Sequence, residues 1–214
     1  MDSSNIYDWW SRHPLALEVL YTLSFLGREN AIRRASIEAL QPADGEWILE
    51  AGAGNGNSLA QLLATMDGAG TILAIDASGG MVRSASERIN KRGWTGVHTV
   101  RGDALRPPLA RESVDAAYAA MSLSAMADPA AAIDAVEAVV KPGGRFVVLD
   151  ARPFRDEPWS HLNSVIEPIA HRTTNWKPDV DLVELLMATF DDVDVTTYNG
   201  GSIFVACASK KRDE

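Results

Sequence analysis

Glu50 closes an apolar run, and Gly52, Gly54 and Gly56 follow it in the stretch "WILEAGAGNGNSLAQLL" (47–63). Glycine takes positive φ freely and lets a ligand or another backbone come close, although ordering it costs more entropy than ordering any other residue. Three glycines in five positions describe either a turn that opens towards something or simply a sharp strand-to-helix reversal. Asp76 stands 24 residues beyond Gly52, at the end of a second apolar run, "TILAID". A carboxylate there can accept both hydroxyls of a ribose; its plain alternative is an exposed strand-end acid. Asp103 follows a third run, in "GDA" (102–104), where it also reads as a turn residue. For proton exchange near neutrality the chain offers four histidines, the side chain best placed for that work. His161 and His171, in the segment 152–178, are the candidates for a general base, with His13 a third; each also reads as a surface or lid histidine. His98 lies inside a strand and is structural.

These residues need a frame, and the chain supplies one by alternation. Apolar runs at 46–51, 71–76, 96–103, 114–120 and 145–151 are separated by segments of helical period at 58–66, 80–92 and 129–140. That order implies a parallel sheet with helices on both faces. "KPGG" (141–144) is a helix stop. A further helix at 180–190 leads to two strands, 192–198 and 202–209, joined by Asn199-Gly200-Gly201, so the sheet should end in an antiparallel hairpin. Two segments do not fit the repeating unit. Residues 1–40 are helical in period and aromatic-rich, and 152–178 is irregular, with four prolines and two tryptophans. Ligands in open α/β sheets bind beyond the carboxyl ends of the strands, so both are expected to serve as lids over one domain spanning 1–214.

The whole composition narrows the function. With 214 residues the chain can bury a full core, and its 29 acids against 20 bases give a net charge of −9. That field repels phosphate backbones and anionic bilayers, so neither nucleic acid nor stable membrane insertion is expected. Cys207 is the single cysteine, which excludes an internal disulfide and suits a reducing cytoplasm. No metal is expected.

In order and placement, the motifs resemble those of class I S-adenosylmethionine-dependent methyltransferases. Glu50 with the glycines is similar to the family's first motif, (D/E)-x-G-x-G-x-G. A carboxylate there suits a donor that carries an ammonium and a sulfonium rather than a pyrophosphate. "DASGGM" resembles D-x-S-x-x-M, "GDA" the third-strand motif, and "VVKPGGRFVVLD" (139–150) the L-K-P-G-G segment. The resemblance implies a Rossmann-like seven-stranded sheet and S-adenosylmethionine as methyl donor. It implies a donor site made of Tyr7, Glu50, Gly52, Ala53, Gly54, Asn55, Gly56, Asp76, Ala77, Met81, Asp103, Ala104 and Ala119. In that pattern Asp76 takes the ribose, Asp103 and the Ala104 backbone take the adenine edge, and Met81 lies on the adenine face. Tyr7-Asp8, "LSFLGRENAIRR" (23–34) and "YNGGSIFVACASK" (198–210) bring the chain nearest the quinone-biosynthesis C-methyltransferases. The departure is "AAMSLSAMAD" (119–128), where those enzymes carry an R-N pair.

The expected reaction is methyl transfer to a small acceptor, with an apolar quinone-like or lipid-like molecule as the first choice. Trp9, Trp10, Tyr21 and Phe25 on one side and Phe154, Trp159 and Trp176 on the other are candidate walls for it, or plain lid packing. Two other functions stay open on the residues: a protein that binds the donor or its demethylated product without turnover, and a nicotinamide-dependent oxidoreductase. The latter leaves "GDA" and the terminal hairpin without a role.

Overall fold

A computed structural model describes residues 3–67 and 69–212; residues 1 and 2 of the expected amino-terminal lid lie outside them. Three helices come first: α1 (Ser3–Ser11), α2 (Pro14–Ser24) and α3 (Glu29–Leu40). The alternating unit follows as β1 (Trp47–Ala51), α4 (Leu59–Thr65), β2 (Thr71–Asp76), α5 (Gly79–Arg92), β3 (Val97–Arg101), β4 (Val114–Ala120), α6 (Pro129–Val139) and β5 (Val140–Ala151). After α7 (Asn163–Thr174) and α8 (Leu182–Thr189), β6 (Asp192–Tyr198) and β7 (Ile203–Ser209) complete a seven-stranded sheet. Its order is β3-β2-β1-β4-β5-β7-β6. β1 to β5 pair in parallel, and β7 runs antiparallel between β5 and β6. The expected doubly covered sheet and its antiparallel ending are both present.

Period-2 alternation sorts the core into two layers. Ile48, Ala116, Tyr118, Val147 and Leu149 face α3 and α4, where Ile32, Ile37, Leu59 and Leu62 pack. Leu49, Ala117, Ala119, Phe146 and Val148 face α6 and α8, where Ile133, Val136, Leu182 and Leu186 pack. Local chemistry sets the helix ends. The Ser78 hydroxyl accepts from Met81 N at the start of α5, and Gly93 closes that helix at φ 64. Asp128 and Asp181 cap α6 and α8 in the same way.

Two expectations need correcting. "KPGG" ends α6 but is not outside the sheet: β5 starts at Val140, opposite Val114, and the pairing resumes at Ala116 opposite Arg145. The four residues form an irregularity inside the strand, with Gly143 at φ 77. The segment 152–178 is not irregular throughout, because twelve of its residues form α7 in spite of an internal Pro168. Proline removes one helical N–H and disfavours this position, which is why the sequence does not announce the helix.

Candidate functional site

The strand order reverses between β1 and β4, and a cavity of about 350 Å³ opens at the carboxyl ends of these strands. That is the topological switch point where open α/β sheets bind ligands, and the volume is in the range of small-molecule sites. The glycine turn forms its floor. Gly52, at φ 71, has no room for a side chain: a Cβ would stand 2.5 Å from that of Ser122, whose hydroxyl donates to Ala51 O at 2.9 Å. Gly54, at φ 55, faces open space, and its N–H donates to Asp76 Oδ2 at 2.8 Å. The other oxygen of Asp76 accepts from Ser78 N at 2.8 Å. One carboxylate thus fixes two ligand-facing turns, and burial raises its pKa, with the two N–H donors pulling it back.

Glu50 lies deeper. Alternation turns it to the same face as Ile48, towards α3, and it is only 2% exposed. Burial pushes its pKa up to about 7, opposed by the Arg33 guanidinium and the Ser58 hydroxyl and reinforced by Asp76. Its Oε2 has no hydrogen-bond partner among the described residues. A buried oxygen left unpaired is costly, and here it belongs to a group that lines the cavity. The cavity therefore fits a ligand that brings N–H or O–H donors or positive charge to this end.

Most of the expected donor residues meet at this cavity. Tyr7, Glu50, Gly52, Ala53, Gly54, Asn55, Asp76, Ala77, Met81, Asp103 and Ala104 all line it. Asp103 sits at its exposed edge, where its Oδ1 accepts from Leu105 N at 3.0 Å. Two do not belong. Gly56 is turned away, and its φ of 77 serves packing, since a Cβ would come within 2.6 Å of Leu59 Cδ1. Ala119 is fully buried on the α6 side of β4, the face opposite Glu50. The positions that reach the cavity are the next ones, Ala120, Met121 and Ser122.

The histidines are corrected too. His161 is 81% exposed beside Glu157, and His171 is exposed, with Nδ1 2.9 Å from Trp176 O. His13 stacks on Trp9 at the surface, and His98 is exposed on the edge strand β3 rather than interior. None of the four lines a cavity described here.

A second chamber of about 700 Å³ adjoins the first; Tyr7, Leu17, Tyr21, Met121 and Ala125 line both. Trp10, Phe154, Trp159 and Trp176 add aromatic walls, whereas Trp9 stays at the surface and Phe25 is buried in the sheet layer. Polar tips are tied off behind the rings. Tyr7 and Trp10 donate to the carbonyls of Thr174 and Thr173, each at 2.8 Å, and Trp176 donates to Ala151 O at 3.2 Å. Burial raises the Tyr7 pKa far above its usual value, so the phenol stays protonated. On the far side, Trp159 rests on Gly200, which at φ 65 leaves only 2.9 Å between a would-be Cβ and the indole.

Several site residues escape sequence reading. Arg33 of α3 is 4% exposed, donates to Ser58 Oγ at 2.7 Å and lines the first cavity. Asp8 of α1 accepts from the Ser78 hydroxyl and from Gly80 N, pinning α1 to the start of α5. Met121, at φ 55, holds a left-handed backbone where the two chambers meet; such a non-glycine conformation costs about 1–3 kcal/mol and clusters at functional sites. Asp150, fully buried at the end of β5, accepts from Ser124 N and Ser124 Oγ and so fixes the loop that follows Met121. The available signal for Met121 was the departure from the resembled pattern in "AAMSLSAMAD".

Comparison with known proteins agrees with this geometry. Residues 49–148 match a family described as "Methyltransferase domain". A demethylmenaquinone methyltransferase of Thermobifida fusca is 31% identical over 186 residues, covering 87% of this chain and 73% of that protein. Its counterpart from Beutenbergia cavernae is 30% identical, with 81% and 69% covered. Among solved structures, an S-adenosylmethionine-dependent methyltransferase of Thermotoga maritima superposes with a TM-score of 0.70 at 18% identity, over 96% of this chain and all of that one, which supports the fold. The chain belongs to the class I S-adenosylmethionine-dependent methyltransferases, in the group of the quinone methyltransferases, and S-adenosylmethionine is its methyl donor.

Proposed function

We propose that the enzyme methylates a flat, largely apolar acceptor of the quinol type, held in the aromatic chamber while the donor occupies the cavity beneath it. The observation that carries this reading is the junction: the two spaces share Tyr7, Tyr21 and Met121. The relatives' name, demethylmenaquinone methyltransferase, favours the same acceptor class.

When bound, the donor supplies a methyl group on a sulfonium that is already a good leaving group. The chain's own work is then to bind, orient and dry. Glu50 accepts hydrogen bonds from the buried end of the donor, and Asp76 takes the ribose hydroxyls. Asp103 and the Ala104 backbone take the adenine edge, with Met81 against its face. The amino-terminal helices and the segment 152–178 act as covers that keep water from the junction. Holding two reactants in line contributes about 7–11 kcal/mol at best. No histidine lines either chamber, so none is assigned as base. The single Cys207 is compatible with work in a reducing cytoplasm, and among the described residues no helix is long and apolar enough to cross a membrane.

The test is calorimetry with S-adenosylmethionine, S-adenosylhomocysteine and NAD, followed by labelled-methyl transfer to naphthoquinols and to a lipid extract. Binding of the two sulfur nucleosides with label entering the quinols is expected. Label in lipid headgroups would replace the acceptor class, and donor binding without transfer to any acceptor would replace the enzyme by a sensor.

A further inference from the structure

Two arginines line the aromatic chamber, Arg28 and Arg152. Arg152, the residue after β5, lines it at the end formed by the β6–β7 turn, together with Asn199 and Ser202. The guanidinium is held in place: its Nε donates to Gly201 O at 2.9 Å, and its Cζ lies 5.6 Å from the centre of the buried Phe204 ring. Such stacking fixes the plane of the fork. Yet among the described residues no carboxylate pairs with it. Two acids act on it from a distance: Asp181, which is paired with Arg155, and Asp156, whose Oδ2 lies beside Gly201. In the same lining, the Nδ2 of Asn199 is buried and has no partner among the described residues. A partly buried cation at the end of an apolar space, with no acid in ion-pair contact among the described residues and an unpaired amide in the same lining, leaves hydrogen-bonding capacity that an anionic ligand can use.

We propose that Arg152, with Asn199, binds a carboxylate on the acceptor, so that the substrate is an aromatic ring bearing an anionic group rather than a neutral ring. This rests on the reading of the chamber as the acceptor site. Planar guanidinium pairs with carboxylate in two parallel hydrogen bonds, and Arg152 stands at the sheet edge of the chamber, so the anion orients the ring. Arg152 is therefore a specificity-determining residue.

The probes are 1-hydroxy-2-naphthoate and 1-naphthol, which differ by one carboxylate. They are titrated by fluorescence into the full chain saturated with S-adenosylhomocysteine. The wild-type protein should bind the naphthoate at least tenfold more tightly. Arg152→Gln, which keeps an N–H for Gly201 O, should bring the two within about twofold and leave 1-naphthol affinity unchanged. Arg28→Gln, at another chamber-lining arginine, should leave the preference intact. Equal binding by the wild type overturns the proposal even if the variant fails to fold, as does a preference that survives Arg152→Gln or disappears in Arg28→Gln. If 1-naphthol alone binds, the aromatic chamber stands and only the anionic acceptor falls. If neither probe binds, both fall.

Discussion

Glu50 lines the cavity at the expense of stability. A carboxyl whose folded pKa is about 7, against an ordinary 4.5, holds its proton more tightly in the folded chain than in the unfolded one. Its contribution to stability is therefore fully present below about pH 4.5, falls as the pH rises to about 7, and stays low above that, a total on the order of 3 kcal/mol. Glu50→Gln should remove this decline, so the ligand-free variant should melt higher than the wild type at pH 8 and nearly with it at pH 5. The same change should weaken S-adenosylmethionine binding about tenfold or more, as read by calorimetry. A variant that loses stability at pH 8 would show that the buried acid is already satisfied. The acids at Glu50, Asp76 and Asp103 were legible because each ends an apolar run. Arg33 was not, because nothing in a helical sequence marks the one charged position that alternation in a distant strand will meet.

At the scale of elements, the contact between α1 and α5 is the one on which the proposed cover would depend. Gly80 has Ser11 lying over it; a Cβ would stand 2.2 Å from Ser11 Oγ and 3.0 Å from Ser11 Cβ, with Asp8 Oδ1 at 3.2 Å. Gly80→Val should displace α1 and break the bonds from Asp8 to Ser78 and Gly80 while leaving the cavity floor untouched. Faster release of S-adenosylhomocysteine in stopped flow and earlier proteolytic cleavage before Glu29, with little change in the melting of the sheet, are the expected signs. Unchanged release rates would mean that α1 is no cover. Elements repeating strand and helix were readable from period alone. The misplacements have a physical cause of one residue: Ala119 and Met121 lie on opposite sides of the step from strand to loop, and Gly56 spends its freedom on Leu59 rather than on a ligand. α7 was hidden by Pro168, and its pairing with α1 through Thr173 and Thr174 is a long-range contact that no local pattern encodes.

For the whole molecule, donor binding should stiffen a chain whose central cavity holds unpaired groups. Saturation at a hundred times Kd adds about 2.7 kcal/mol to the folded state, and at about 2–4 °C per kcal/mol for a chain of this size the melting temperature should rise by roughly 5–11 °C. Scanning fluorimetry with S-adenosylhomocysteine measures this, and NAD at the same concentration should give no comparable shift. The second chamber has a separate signature. Trp159, 51% exposed and lying across Gly200, stands at its edge with one face towards water. A guest seated against that indole would shift its emission to the blue, and Trp159→Phe would remove the change. If the proposed reading of that chamber holds, the chain carries its own optical gauge of acceptor occupancy, readable without label and separable from the donor's arrival.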